Sequence, residues 1–173
     1  MKALVLGGVR SGKSRYAAEL AREQACPTTL IVTGSALDEE MAARIERHRA
    51  SRPAAWTVVQ EPTHLAAALA AAAGPNRVII VDCLTLWLTN LLGSDDPEAL
   101  RRESRDMVET LPTLPGHCVL VANEVNLGII PVNALARRFT DEAGTMHQGV
   151  AGICDRVVFM VAGLPITLKP RAP

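Results

Sequence analysis

Ala3-Leu4-Val5-Leu6-Gly7-Gly8-Val9-Arg10-Ser11-Gly12-Lys13-Ser14 decides how the rest of this chain is read. An unbroken apolar run ends in glycine, and the residues from Gly7 to Ser14 match G-x-x-x-x-G-K-[ST] just before an alanine-rich segment, Lys13 to Gln24. A buried strand, a glycine loop and a helix in that order form the context in which such a loop holds phosphates. Gly7, Gly8 and Gly12 let the backbone wrap tightly, so that the N–H groups of Val9, Arg10 and Ser11 and the start of the helix converge on phosphate oxygens. Lys13 is placed to reach the β- and γ-phosphates of ATP or GTP, and the Ser14 hydroxyl to bind Mg²⁺. The alternative, an ordinary glycine turn with an exposed lysine, does not need those flanks.

Outward from this loop, further short β-rich runs recur: Thr29 to Thr33, Val78 to Asp82, Cys118 to Asn123 and Val157 to Val161. Most are continuous rather than alternating, which implies burial on both faces. Between them Glu39 to Arg49, Thr63 to Ala73, Pro97 to Leu111 and Val132 to Ile153 read as helices, the last interrupted near Gly144 or Gly149 because a glycine inside a helix costs about 1 kcal/mol. Strand then helix, repeated, predicts an α/β fold: a single-domain P-loop NTPase-type architecture over residues 1–173, with a mostly parallel sheet flanked by helices. Val157 to Ala162, Gly163-Leu164-Pro165 and Ile166 to Lys169 predict an antiparallel C-terminal hairpin, after which the last four residues fray.

The bulk numbers narrow the function. Eighteen basic residues balance 18 acidic ones, so no global field draws the chain to nucleic acid or an anionic membrane, and any anion specificity must be local. Nearly half of the residues are hydrophobic but only 3% are aromatic, so the core is aliphatic. Cys26, Cys83, Cys118 and Cys154 lie far apart with no C-x-x-C pair, which argues against a zinc site or a disulfide framework. Met1 leads straight into the first strand without a signal-peptide pattern, and no apolar run approaches the ~20 residues that span a bilayer. A soluble cytoplasmic enzyme without membrane insertion is expected.

Two further features carry chemistry. Asp82 closes Val78-Ile79-Ile80-Val81, at the carboxyl end of a buried strand where α/β folds bind ligands. It can hold Mg²⁺ with Ser14 or cap the next helix, which begins near Leu84 or Thr85. The predicted helix Glu39 to Arg49 begins with acids and ends with bases, and Met41, Ile45 and His48 share its apolar face. Arg44, Arg47, Arg49 and Arg52 surround His48 and form a local anion site. Nearby cations disfavour an imidazolium and leave a neutral nitrogen able to attack phosphorus, with the arginines stabilising the phosphoryl charge. Residue types alone also fit a core-edge histidine on a basic helix.

Gly7 to Arg15, Arg44-Ile45-Glu46-Arg47-His48-Arg49 with Arg52-Pro53, Asp82-Cys83-Leu84-Thr85-Leu86-Trp87-Leu88-Thr89-Asn90-Leu91-Leu92, and Asn123-Glu124-Val125 with Gly128-Ile129-Ile130-Pro131 follow one another in order. Together they resemble the bifunctional adenosylcobinamide kinase / adenosylcobinamide-phosphate guanylyltransferase family of cobalamin biosynthesis, from about residue 3 to residue 169. The resemblance implies phosphorylation of the aminopropanol hydroxyl of adenosylcobinamide, then transfer of GMP from GTP to adenosylcobinamide phosphate with release of pyrophosphate. It also implies a guanylyl group carried on His48, and nucleotide contacts at Thr33, Gly34, Ser35, Arg49, Ala50, Ser51, Arg52, Glu61 and Asp82. A homo-oligomer, a trimer with nucleotide sites near subunit boundaries, is implied as well. Three features depart from the family's pattern: Asn126 in place of glycine, Met146-His147-Gln148 where an Asn-Gln pair is usual, and Cys83 in place of serine. His147 could serve as a ligand or base but is expected rather to be exposed or to line its helix, and His64 and His117 are expected to lie on the surface without a role.

Overall fold

The computed structural model describes residues 1–34 and 53–170. The predicted helix Glu39 to Arg49, and with it His48 and the arginine cluster, lies outside the described residues, as do Ser35 and residues 171–173. In chain order the elements are β1 (Lys2–Gly7), α1 (Lys13–Glu23), β2 (Thr28–Val32), β3 (Thr57–Gln60), α2 (Leu65–Ala72) and β4 (Val78–Asp82). There follow α3 (Leu84–Leu92), α4 (Ala99–Thr110), a 3-10 turn (Leu111–Thr113), β5 (His117–Asn123), α5 (Ala134–Ile153), β6 (Arg156–Val161) and β7 (Leu164–Lys169).

The strands form one sheet in the order β3-β2-β4-β5-β1-β6-β7. Every neighbouring pair is parallel except β6 and β7, the antiparallel hairpin expected from the sequence. Alternation along the strands sorts the aliphatic side chains between the two faces. Leu4, Leu6, Ile79, Val81, Leu120 and Ala122 face α2 to α5, where Leu65, Trp87, Met107 and Val150 are buried. Ala3, Val5, Val78, Ile80, Val119 and Val121 face the other way, against Ala17, Leu20 and Ala21 of α1. Both faces are therefore covered, as the continuous apolar runs require. Among the described residues no helix is long and apolar enough to cross a membrane.

The structure differs from the sequence expectation in three elements. Helix α5 is unbroken from Ala134 to Ile153 despite Gly144 and Gly149. Its start is set by Asn133, whose Oδ1 accepts from Ala136 N at 3.1 Å. Burial of Ala143, Met146 and Val150 along one face stabilises the helix by more than two glycines cost, since a large buried side chain contributes about 1.5–3 kcal/mol. Strand β3 was not predicted; it is an exposed edge strand held by pairing to β2, and its Val58 and Val59 are solvent-facing. Helix α2 starts at Leu65 rather than at Thr63, because Glu61 Oε1 accepts the Thr63 and His64 amide protons at 3.0 and 2.8 Å and turns the chain there.

Candidate active site

The loop from Gly7 to Ser14 joins β1 to α1 at the carboxyl edge of the sheet, as its sequence predicts. Its geometry depends on glycine at two points. Gly7 has φ +151°, and a Cβ there would lie 2.6 Å from Met160 O and 2.7 Å from Ser11 Oγ. Gly12, the residue before α1, has φ +98°, a conformation that L side chains rarely adopt. Gly12 has no side chain to cap the helix, and the positive end of the helix dipole at the start of α1 favours an anion. Ser11 N donates to Gly8 O at 3.2 Å and Gly163 N to Ser11 O at 3.0 Å, so the turn of the β6–β7 hairpin braces the loop from below. Lys13 is buried, with Nζ donating to Gly8 O at 2.6 Å across the loop. Ser11 Oγ is buried beside it without a hydrogen-bond partner among the described residues.

Asp82 ends β4, two strands away from β1, with β5 between them. Adjacent strands lie about 4.8 Å apart, so the backbone of Asp82 is roughly 10 Å across the sheet from the phosphate loop. Ser14 and Asp82 supply a hydroxyl and a carboxylate, hard oxygen donors few in number, which suits Mg²⁺ because that ion keeps waters and takes phosphate oxygens as its other ligands. Around Asp82 the packing is rigid. Thr33 is fully buried, and its Oγ1 donates to Cys83 O at 2.6 Å and accepts from Cys83 N at 3.0 Å. Asn90 Nδ2 donates to Thr33 O at 2.7 Å and to Pro62 O at 2.9 Å, and Trp87 Nε1 donates to Thr63 O at 2.7 Å. Helix α3 thus pins the ends of β2 and β3 to the end of β4. Burial, with the neighbouring Asp82 charge, pushes the Cys83 thiol up to about 11, so it stays protonated and unreactive.

Of the predicted nucleotide contacts, Gly34 is buried beside Thr33, its carbonyl 3.4 Å from Gln60 Nε2. Burial raises the Glu61 carboxyl, but the amide bonds from Thr63 and His64 outweigh it and hold the group below its usual value. The structure therefore gathers Gly7 to Ser14, Thr33, Gly34, Glu61 and Asp82 along one sheet edge. His48, Ser35, Arg49, Ala50, Ser51 and Arg52 lie outside the described residues.

Sequence reasoning assigned no role to the end of β5. Asn123 is level with Gly7 in the parallel register, and its N–H donates to Thr85 Oγ1 at 2.7 Å. Glu124 N donates to Gly7 O at 3.0 Å, setting that residue directly against the phosphate loop. The carboxylate after an apolar strand was the available signal, the same one that marked Asp82. His147 of α5 is buried and faces Glu124, against the expectation that it is exposed or merely lines its helix. His64 is on the surface as expected, with Nδ1 2.9 Å from Glu103 Oε1. His117 Nδ1 is 3.2 Å from the Met1 amine.

The model of the family described as cobinamide kinase / cobinamide phosphate guanyltransferase matches residues 3–168. The chain belongs to this family. It is 52% identical over 169 residues to the bifunctional adenosylcobalamin biosynthesis protein CobP of Pseudomonas aeruginosa, covering 98% of both chains. It is 38% identical over 182 residues to the bifunctional adenosylcobalamin biosynthesis protein CobU of Escherichia coli, covering 98% of this chain and all of that one. Among solved structures, the P4 protein of bacteriophage phi6 in complex with ADP aligns with a TM-score of 0.52 at 15% identity, over 97% of this chain and 55% of that one. A Pyrococcus horikoshii OT3 protein aligns with a TM-score of 0.55 at 10% identity, over 99% and 87%. These two show a shared fold, and the family shows the chemistry: the enzyme is a kinase and a guanylyltransferase acting on cobinamide and its phosphate.

Proposed function

We propose that residues 1–173 act as one domain in two successive reactions at the phosphate-loop edge, the second of them made of two displacements. In the first, ATP or GTP lies with its phosphates on Gly7 to Ser14, and the aminopropanol hydroxyl of adenosylcobinamide attacks the γ-phosphorus. Lys13 and the amides of Val9 to Ser14 hold the phosphoryl oxygens as charge shifts to the leaving nucleoside diphosphate. Ser14 and Asp82 hold Mg²⁺, which neutralises phosphate charge when bound. In the second, a ring nitrogen of His48 attacks the α-phosphorus of GTP, the bond to pyrophosphate breaks, and the imidazole proton is released. An oxygen of adenosylcobinamide phosphate then attacks the same phosphorus and breaks the P–N bond, giving adenosylcobinamide-GDP. Arg49 and Arg52 balance the charge on the guanylyl group, and Thr33, Gly34, Ser35, Ala50, Ser51, Glu61 and Asp82 border the nucleotide. The observation that carries this reading is the phosphate loop itself, wrapped around the start of α1 on the sheet edge that also bears Asp82.

The test is labelling with GTP marked on the α-phosphate in the presence of Mg²⁺. Acid-labile, alkali-stable label on the wild type that vanishes in His48→Ala is the expected result, the signature of a phosphoramidate. No label on a folded, GTP-binding wild type would leave a one-step kinase with the arginines as a phosphate clamp. The working unit is a homo-oligomer, a trimer, with exposed aliphatic residues covered between copies.

A further inference from the structure

Phosphorylation of an alcohol releases a proton that the phosphate loop has no group to accept, because its lysine is a cation and its other donors are amides and hydroxyls. The acceptor of the second half-reaction has no such need: a phosphate monoester is already ionised at neutral pH and attacks without a base, and the proton lost in that half-reaction comes from His48, not from the acceptor. The two steps therefore place different demands on the chain, and a base for the first should stand beside the loop without belonging to it.

Glu124 stands there. It follows β5, the strand between β1 and β4, and Asn123, the residue before it, is level with Gly7, whereas Asp82 is level with Val121. Glu124 is thus further along the carboxyl edge than Asp82 and adjacent to the loop, to which its amide is bonded through Gly7 O. Its side chain is held on both sides. Oε1 accepts from Asn126 N at 2.6 Å, and Oε2 is 3.7 Å from His147 Nδ1. His147 is 7% exposed, and neither ring nitrogen has a hydrogen-bond partner among the described residues. A buried imidazole with unsatisfied nitrogens is costly in a core position, and this one is aimed at a carboxylate slightly beyond bonding distance. Burial, opposed by the Glu124 charge, lowers the tendency of His147 to protonate. A neutral ring with its proton on Nδ1 can orient the carboxylate, whereas an imidazolium would weaken it as a base. Asn126 and His147 belong to the same cluster, since the Asn126 amide lies 2.9 Å from where a Cβ on Gly144 would be, one turn before His147 in α5.

We propose that Glu124 is the general base of the phosphorylation half-reaction and that His147 is the residue that positions it. This rests on the two-step reading above. As the acceptor oxygen bonds to the γ-phosphorus and the bond to the nucleoside diphosphate breaks, the hydroxyl proton passes to Glu124 Oε2. His147 turns its Nδ1–H onto the same carboxylate, holds it toward the acceptor, and loses no proton itself.

The test is to measure the half-reactions separately: phosphate transfer from ATP to cobinamide, and GMP transfer from GTP to cobinamide phosphate supplied ready-made. Glu124→Gln keeps the acceptor for Asn126 N, and should lower kcat for phosphorylation by about a hundredfold while GMP transfer falls by no more than about threefold. His147→Ala should lower the same kcat by about tenfold with the KM for ATP unchanged, and His147→Asn, which restores an N–H donor, should recover most of it. Phosphorylation by Glu124→Gln within about threefold of wild type, or an equal fall in both half-reactions, would overturn the inference. Should Glu124→Gln not fold, an undiminished kcat in folded His147→Ala would overturn it in its place. A wild type that phosphorylates nothing would overturn the two-step reading as well; failure of GMP transfer alone would bear only on His48.

Discussion

Thr33 shows how much one hydroxyl can organise. The resemblance to the family implies a nucleotide contact at this position, and the structure engages its side chain with both polar backbone atoms of Cys83, next to Asp82. Thr33→Val removes the hydroxyl at nearly the same volume and leaves the buried Cys83 N–H unsatisfied, at a cost of about 1–3 kcal/mol, while Cys83 O keeps the bond from Trp87 N at 3.2 Å. A loss of about 1–3 kcal/mol in urea unfolding is expected, along with weaker Mg²⁺-dependent nucleotide binding as Asp82 loses its support. Unchanged stability in Thr33→Val would show that water replaces the hydroxyl. This role was not legible in the sequence, because Thr33 and Cys83 are 50 positions apart and only the pairing of β2 with β4 brings them together. The phosphate loop was legible because every residue of it is local.

At the scale of elements, runs with strong patterns were the ones read correctly. β1, β4 and β5 are continuous apolar runs buried on both faces, and their ends fall within a residue or two of the expectation. β3 escaped because an exposed edge strand of four residues carries no burial pattern of its own. Helix α5 was misread at its glycines because propensity is a weak prior against packing. Gly149 has an ordinary helical position, with Val108 Cγ2 3.7 Å from where its Cβ would lie. Gly149→Ala should therefore stabilise the protein by up to about 1 kcal/mol, read as a rise in the urea midpoint. A fall in stability would mean that α4 and α5 pack too closely there for a methyl group.

Across the whole molecule, the sheet order puts β5 between the loop strand and the strand that ends in Asp82, so the edge carries three functional positions in a row: Asp82, Asn123-Glu124 and Gly7. Beyond Glu124 the chain exposes Leu127, Ile129, Ile130, Val132 and Leu135, with Ile129 98% and Val132 97% accessible. A cluster of exposed aliphatic residues within nine positions of the chain is the kind of surface that marks an interaction site. The proposed trimer should cover it, and sedimentation at micromolar concentration should show a species three times the 18.5 kDa chain mass. Replacing Ile129 and Val132 with aspartate should shift that species toward monomer. A wild type that sediments as a monomer would remove the assembly and leave the patch to another partner.

Gly7 to Ser14, the aliphatic strands and the terminal hairpin were determined by the sequence itself, because loop geometry and strand burial depend on neighbours in the chain and on side-chain period. The order of the strands decided which distant residues share an edge. Glu124 became a partner of the loop, and His147 a partner of Glu124, only because β5 lies beside β1 and α5 packs on the sheet face next to it. A carboxylate and an imidazole 23 positions apart have no signature as a pair until the fold buries the imidazole and sets the half-buried carboxylate in front of it.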